Sequence, residues 1–505
     1  MSKDRQIKGY IKDSSIYLIG NFIIGISGLL SIKIYTKLFS SGDYGDLSIA
    51  YNTLILISLI FCGWIQQGTV RFFDSYNKDK KTIKNFYTTI FCILTIINVS
   101  LFIIIISASF IIKNNILVHQ YKIYFFSSFM IMSQGYFDVI NSLLRVLRKP
   151  VLFTLNNIIV SILKLLGVVL LVKVFESGVE SIIISIFIGN IICVVLALNK
   201  LKIFKFIDFK YYSHDIIKAF MSYGFPLLGI AFTSWVLAAS DKYFIRFFCG
   251  SSQVAIYSIN YSLGSSMFSI LINFMMMGAF PIIIRTWNQF GKKQTEDLVN
   301  KMIRYYLIIT IPAFFGAMGL SKNILMIFST NEYAKGHWVF SIVCLGNLLL
   351  GLTQYSNKVW ELTKNTKKIL KFNFLVAICN SILNLFLIPI FGYKVAAITT
   401  VISYSIYFVI SLYQSKNIFK IEVEIKSVIN ILISSSIMLG IIELINLKFG
   451  INIISLILGF ITGTICYFIC MYFSGELKQE ISALFKKILS KSYIILNNNK
   501  QKYNK

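Results

Sequence analysis

Long apolar runs separated by short polar breaks recur along nearly the whole chain, at 13–38, 43–68, 85–112, 116–145, 150–173, 178–199, 216–247, 253–284, 298–321, 333–360, 369–390, 392–414, 426–447 and 450–474. About 20 apolar residues suffice for one helical crossing of a bilayer, so each run predicts a transmembrane helix and the pattern predicts fourteen. Several runs are longer than the minimum, which allows tilt or extension past the lipid. The predicted fold class is an all-α polytopic membrane protein whose loops leave no room for an extramembrane domain of ordinary size.

Composition agrees. Of 505 residues, 56% are hydrophobic and 14% charged, with a mean hydropathy of +0.73, whereas soluble chains carry about a quarter charged residues. The net charge of +28 would suggest nucleic acid in a soluble protein. Here its distribution suggests a membrane orientation instead. With the amino terminus inside, the segments 1–12, 71–84, 145–149, 200–218, 285–304, 358–371, 416–426 and 478–505 hold 37 of the 49 Lys and Arg residues. That alternation is the positive-inside pattern of fourteen crossings with both termini cytoplasmic, and it needs no nucleic-acid partner. The first helix follows a basic start and lacks a small-residue cleavage site, so it is expected to remain. After the last crossing, Ile481, Leu484, Phe485, Ile488 and Leu489 share one helical face. This amphipathic segment is expected to lie on the inner leaflet, ahead of a disordered end.

The two halves correspond at an offset of 209 to 210 residues. Lys33 matches Lys242 and Lys37 matches Arg246; after a one-residue slip, Ser48, Ile49, Tyr51 and Gly68 match Ser258, Ile259, Tyr261 and Gly278. Six helices separate the copies, an even number, so the halves are parallel repeats related by an axis along the membrane normal. The expected organisation is a six-helix lobe at 1–205, a second at 206–415, an extra pair at 416–475 and a cytoplasmic tail at 476–505.

The candidate chemistry is cationic. Lys33 and Lys37 are one turn apart at the outer end of the first helix, and Lys242 and Arg246 repeat that spacing on the seventh. Four symmetric cations on the side where the positive-inside rule disfavours them suggest a shared polyanion, such as a diphosphate; snorkelling to outer headgroups is the simpler alternative. Lys164 stands mid-span, where an ammonium needs a wet cavity or a partner. Asp138, Asp241 and Glu361 are the acidic candidates for coupling or ion pairing, and Asp241 could instead neutralise part of the charge beside it. Pro226, Pro281 and Pro312 interrupt helices of the second lobe and are candidate hinges or static kinks. The eight cysteines form no CxxC pair and the three histidines are scattered, so no metal site or cofactor is expected. Phosphate-loop and GxSxG motifs are absent, and the chain does not look like an enzyme.

The stretch SYGFPLLGIAFTSWVLAASDKYFIRFFCGSSQVAIYSINYSL at 222–263 resembles the helix 7 to 8 signature of polysaccharide-biosynthesis flippases, the oligosaccharide branch of the multidrug/oligosaccharidyl-lipid/polysaccharide exporter superfamily. GDYGDLSIAYNTL at 42–54 and ILNLFLIPIFGYKVAAITTVISY at 382–404 resemble that family's loop after helix 1 and its helix 11 to 12 turn, although the family usually has a small residue where Lys394 or Val395 stands. The resemblance implies two lobes facing a central cavity, alternating access, and a location in the bacterial inner membrane. The cargo it implies is an undecaprenyl-diphosphate-linked oligosaccharide repeat unit for O-antigen, capsule or related polymers. Membrane lipids and polysaccharide polymerase or chain-length machinery are the partners it suggests. An organic-cation antiporter of the same superfamily would want acidic cavity residues, and a multispanning polymerase would want a sizeable outer loop; these are the competing readings.

With both termini inside, a reporter active only on the periplasmic side should be silent when fused after residues 80, 210, 295 and 485 and active after 115 and 330. Activity at 210 would break the six-plus-six scheme.

Overall fold

The computed structural model describes residues 3–113, 118–416 and 418–477. The amphipathic tail segment read from the sequence lies outside them. In chain order the helices are α1 (Lys3–Leu38), α2 (Ser41–Tyr76), α3 (Lys80–Lys113), α4 (Val118–Val146), α5 (Pro150–Phe175), α6 (Ser181–Leu201), α7 (His214–Cys249) and α8 (Ser251–Gly319). They continue as α9 (Ser321–Phe328), α10 (Asn331–Ala334), α11 (His337–Leu362), α12 (Thr366–Phe391), α13 (Lys394–Ser415), α14 (Ile425–Phe449) and α15 (Ile453–Phe473). Helices keep every backbone hydrogen bond within the segment, as a lipid environment demands.

Twelve of the described helices are long and apolar enough to cross a membrane. The other two crossings come from α4 and from the second arm of α8. Helix α4 carries Lys122, Gln134, Asp138 and Arg145, and it can do so because α2, α3 and α6 pack around it. Helix α8 consists of two arms joined inside the stretch 285–304, where the sequence places an inside connection. Gly291, at φ 76° and ψ −163°, kinks it into two arms, a backbone setting that glycine adopts without strain. A straight helix would put Ile272 and Tyr306 roughly 50 Å apart at 1.5 Å per residue. Instead both lie against Gly351, with Tyr306 Oη donating to the Leu348 carbonyl at 2.9 Å, so the arms fold back on each other. Just past the kink, Lys292 and Glu296 pair at 3.9 Å, one turn apart.

The packing repeats itself six helices on. The pairs α1–α5, α2–α4, α4–α6 and α5–α6 recur as α7–α12, α8–α11, α11–α13 and α12–α13. Helix α2 joins the halves by packing on both α7 and α8, while α1 and α8 meet only sparsely. At the predicted outer end, α2 and α8 come so close that a Cβ on Gly45 would collide with the Ser251 carbonyl oxygen. Just inside this point the repeat-equivalent hydroxyls of Ser48 and Ser258 are 2.9 Å apart. A residue touching its own repeat copy marks where the pseudo-two-fold axis passes.

Helices α14 and α15 dock along the second arm of α8. Tyr467 Oη donates to the Ile308 carbonyl at 2.7 Å and Asn446 Nδ2 to the Gly319 carbonyl at 2.9 Å. At the predicted inner end, Arg304 reaches Glu476 at 3.1 Å, and Ser427 Oγ and Asn430 Nδ2 donate to the same carboxylate at 2.8 and 3.0 Å. Burial works to raise the Glu476 pKa, but these three partners outweigh it and hold the group below the usual glutamate range.

Gly45→Leu should lower the thermal midpoint of the detergent-purified protein, by the equivalent of about 1–3 kcal/mol for an overpacked contact. Gly28→Leu should leave it unchanged, because nothing lies within 4 Å of a Cβ built at that position.

Candidate functional site

The residues singled out from the sequence fall into two groups: cations that cross from one repeat to the other, and polar groups enclosed within a repeat. Lys33, on α1, donates to the carbonyls of Met326 and Ser329 at 3.1 and 3.0 Å. These oxygens belong to the carboxyl-terminal end of α9, where the helix dipole favours a cation. Arg246, on α7, pairs with Asp46 of α2 at 2.9 Å. The same carboxylate accepts Ser251 Oγ at 2.5 Å and Gln120 Nε2 at 2.8 Å. Lys242 is buried and donates to Asn52 Oδ1 at 3.3 Å, and Thr53 and Tyr243 share a hydroxyl contact of 2.8 Å beside it. Lys37 is exposed. Of the four cations expected to converge on one anion, three are thus engaged with protein groups of the opposite half.

Lys164 projects from α5, one turn beyond Ser161, whose hydroxyl donates to Ser27 of α1 at 2.9 Å. Its ammonium stands 5.8 Å from the Tyr35 ring and 5.7 Å from the Tyr51 ring. Ring faces attract a cation and replace part of its lost hydration. Glu361 and Asp138 each have other partners. Glu361 holds Lys358 through both oxygens at 2.8 Å, and Lys358 also lies 4.2 Å over the Phe280 ring. Asp138 accepts Gln134 Nε2 at 3.0 Å and Ser58 Oγ at 3.5 Å, and Asn190 Nδ2 donates to the far side of the same Gln134 at 2.9 Å.

Asp241 is the most enclosed acid, 1% exposed. Tyr257 Oη and Thr400 Oγ1 donate to one oxygen at 2.5 and 2.9 Å, and Asn384 Nδ2 donates to the other at 2.6 Å. Neighbours in sequence point apart on a helix, so Asp241 turns toward α8, α12 and α13 while Lys242 turns toward α2. Pro226 lies within α7 and Pro281 and Pro312 within α8; Pro389, near the end of α12, is a further interior proline.

Sequence reasoning did not single out Asp46, Asn52, Ser251, Asn384 or Thr400. Asp46 stood in plain view in GDYGDLS, but its value depends on a partner 200 residues away.

The sequence profile of polysaccharide biosynthesis proteins matches residues 10–287, more than half of the chain. The chain belongs to that family. A probable low-salt glycan biosynthesis flippase, Agl15 of Haloferax volcanii, is 23% identical over 241 residues, covering 48% of this chain and 50% of the relative. An uncharacterized membrane protein of Methanocaldococcus jannaschii, MJ1068, is 27% identical over 206 residues, 40% of each chain. The family member described here therefore aligns with about half the length, or less, of these curated relatives. Among solved structures, the lipid II flippase MurJ in an inward closed conformation superposes with a TM-score of 0.75 at 18% identity, over 92% of this chain and 99% of that one. An inward-facing MATE transporter of the MOP superfamily gives 0.61 at 12% identity, over 80% and 94%. At these identities the likeness establishes the MOP-type fold.

Asp241→Leu should destabilise the protein by about 3–5 kcal/mol, because it strands three buried donors and leaves Lys242 without a nearby carboxylate. Asp241→Asn, which keeps one acceptor oxygen, should cost less. Thermal unfolding of the purified variants measures the difference.

Proposed function

We propose that this membrane protein flips a lipid-linked oligosaccharide from one leaflet to the other by alternating access. Its cargo is an undecaprenyl-diphosphate-linked repeat unit, turned from the cytoplasmic to the periplasmic leaflet of a bacterial inner membrane for O-antigen, capsule or exopolysaccharide assembly. The family match and the glycan flippase among the relatives support this reading. The observation that carries it is Lys164, an ammonium inside the helix bundle whose contacts are two tyrosine rings. A cation placed so deep, with no carboxylate paired to it among the described residues, suits a passing anion. Lys33, Lys242 and Arg246 supply further positive charge where the two repeats meet, and with the exposed Lys37 they are the groups a diphosphate could bridge.

Two of the three candidate acids weigh against an organic-cation antiporter. Asp241 is saturated by three donors and Glu361 by Lys358, so neither offers a free charge to a cationic drug. The lipid tail need not enter the bundle. Phe22, Ile26 and Leu30 on α1 and Ile270 and Phe274 on α8 are exposed apolar side chains at the boundary where these helices touch only sparsely. Such a boundary lets the tail stay in the bilayer while the polar head passes. In this reading both termini are cytoplasmic, and polymerase or chain-length machinery would receive the flipped unit.

Lys164→Met should insert and accumulate normally yet reduce export of polymer in a complementation assay by tenfold or more, the scale of one lost charge-assisted contact of about 1.5–3 kcal/mol. Wild-type export by this variant would remove Lys164 from the cargo path.

A further inference from the structure

The cross-repeat contacts at the Lys33 end form one polar seam. Along it lie Lys33 on the α9 carbonyls, Arg246 and Ser251 on Asp46, Ser48 on Ser258, Lys242 on Asn52, and Thr53 on Tyr243. All but the first bring α2 against α7 or α8. Asp46 is the centre of the seam's charge: a single carboxylate of the first repeat takes two donors of the second, at 2.9 and 2.5 Å, and is steadied from its own repeat by Gln120 at 2.8 Å. The pair is partly open to solvent, with side-chain exposures of 38% for Arg246 and 16% for Asp46, so another anion can reach the guanidinium without dismantling the helices first.

We propose that Asp46 is the built-in counter-anion of this gate: it latches Arg246 and Ser251 to the first repeat while the Lys33 end is closed, and a diphosphate that reaches Arg246 takes its place and releases the seam. The second half rests on the cargo reading above. A guanidinium binds carboxylate and phosphate through the same planar fork of donors, so one can replace the other without repositioning Arg246. A diphosphate brings more negative charge than a carboxylate, which favours the exchange. Opening then follows from differential binding: the anion engages Arg246 only in the state where Asp46 has let go, and it shifts the population toward that state. Asp46 is a positioning residue in this account, since it touches the cation and not the cargo.

The test uses the full chain in lipid nanodiscs, freed of its eight native cysteines and spin-labelled at Leu38→Cys on α1 and Phe247→Cys on α7, which are 36% and 81% exposed. Dipolar spectroscopy between the labels reads whether the Lys33 end is closed or open. Asp46→Asn should raise the ratio of open to closed molecules about tenfold, Arg246→Gln should do the same, and the double variant should add little, because both remove one interaction. Asp46→Glu, which keeps the charge, should remain near wild type and shows that the fold tolerates change at this site. Inorganic pyrophosphate should open the wild-type protein and have little further effect on the Asn and Gln variants. A closed Asp46→Asn protein would overturn the latch and leave the cargo reading standing. An open Asp46→Asn protein with a wild type that ignores pyrophosphate would overturn the anion exchange and count against a diphosphate cargo.

Discussion

The backbone approach of α2 to α8 is the contact on which the rest of the arrangement depends. Lipid gives helices no hydrophobic reason to associate, so they meet through small residues that allow close packing and through hydrogen bonds. Gly45 supplies the first, leaving no side chain between α2 and the Ser251 carbonyl, and the Ser48–Ser258 pair supplies the second. Because those serines are copies of one another, the same contact sets the axis of the duplication. Tyr51 and Tyr261 follow one turn later, each with a lysine over its ring, Lys164 at 5.7 Å and Lys242 at 5.9 Å.

Helix packing obeys the repeat and charge does not. Carried across at the same offset, Asp46 meets Ile256 and Asn52 meets Ser262, while Asp241 looks back to Ile32. The second repeat's cations therefore find side-chain partners on α2. Lys33 has no such partner on α8 and bonds to the carbonyls that end α9, and Lys37 stays exposed. Packing between apolar helices tolerates drift in sequence, because shape and volume suffice. A hydrogen-bonded charge needs one particular partner, so it records where the two halves have diverged.

Much of the fold was legible because hydropathy is read locally. The runs at 150–173 and 426–447, for example, fall within two residues of α5 and α14. What escaped had a non-local cause. Helix α4 is polar for a crossing because three neighbours shield it. The site was legible only in part. Lys33, Lys164, Lys242 and Arg246 stood out as cations in the wrong place, yet their partners are ring faces, helix-end carbonyls and residues of the other repeat. A sequence shows which group is unusual long before it shows what that group touches.

The two ends of the α2–α7 boundary differ in chemistry, and that difference bears on how the proposed cycle could turn. At the Lys33 end the boundary is polar and held by discrete bonds, each of which is made or lost whole. At the other end it is aromatic. Trp64 stacks on Phe225 at 6.0 Å and Phe72 on Phe220 at 5.7 Å, close to Pro226, whose missing donor weakens α7 at that point. Stacked rings can slide by a fraction of a ring width while staying in contact, whereas a charge pair cannot stretch far before it is better solvated by something else. A rocking motion between the repeats would thus pivot on the aromatic end and break at the polar one. The docked pair α14–α15 adds mass to the moving side without adding constraint, because its bonds through Tyr467, Asn446 and Glu476 all go to elements of the same half. Resistance to opening is thereby concentrated in the seam around Asp46, where an incoming anion can act on it.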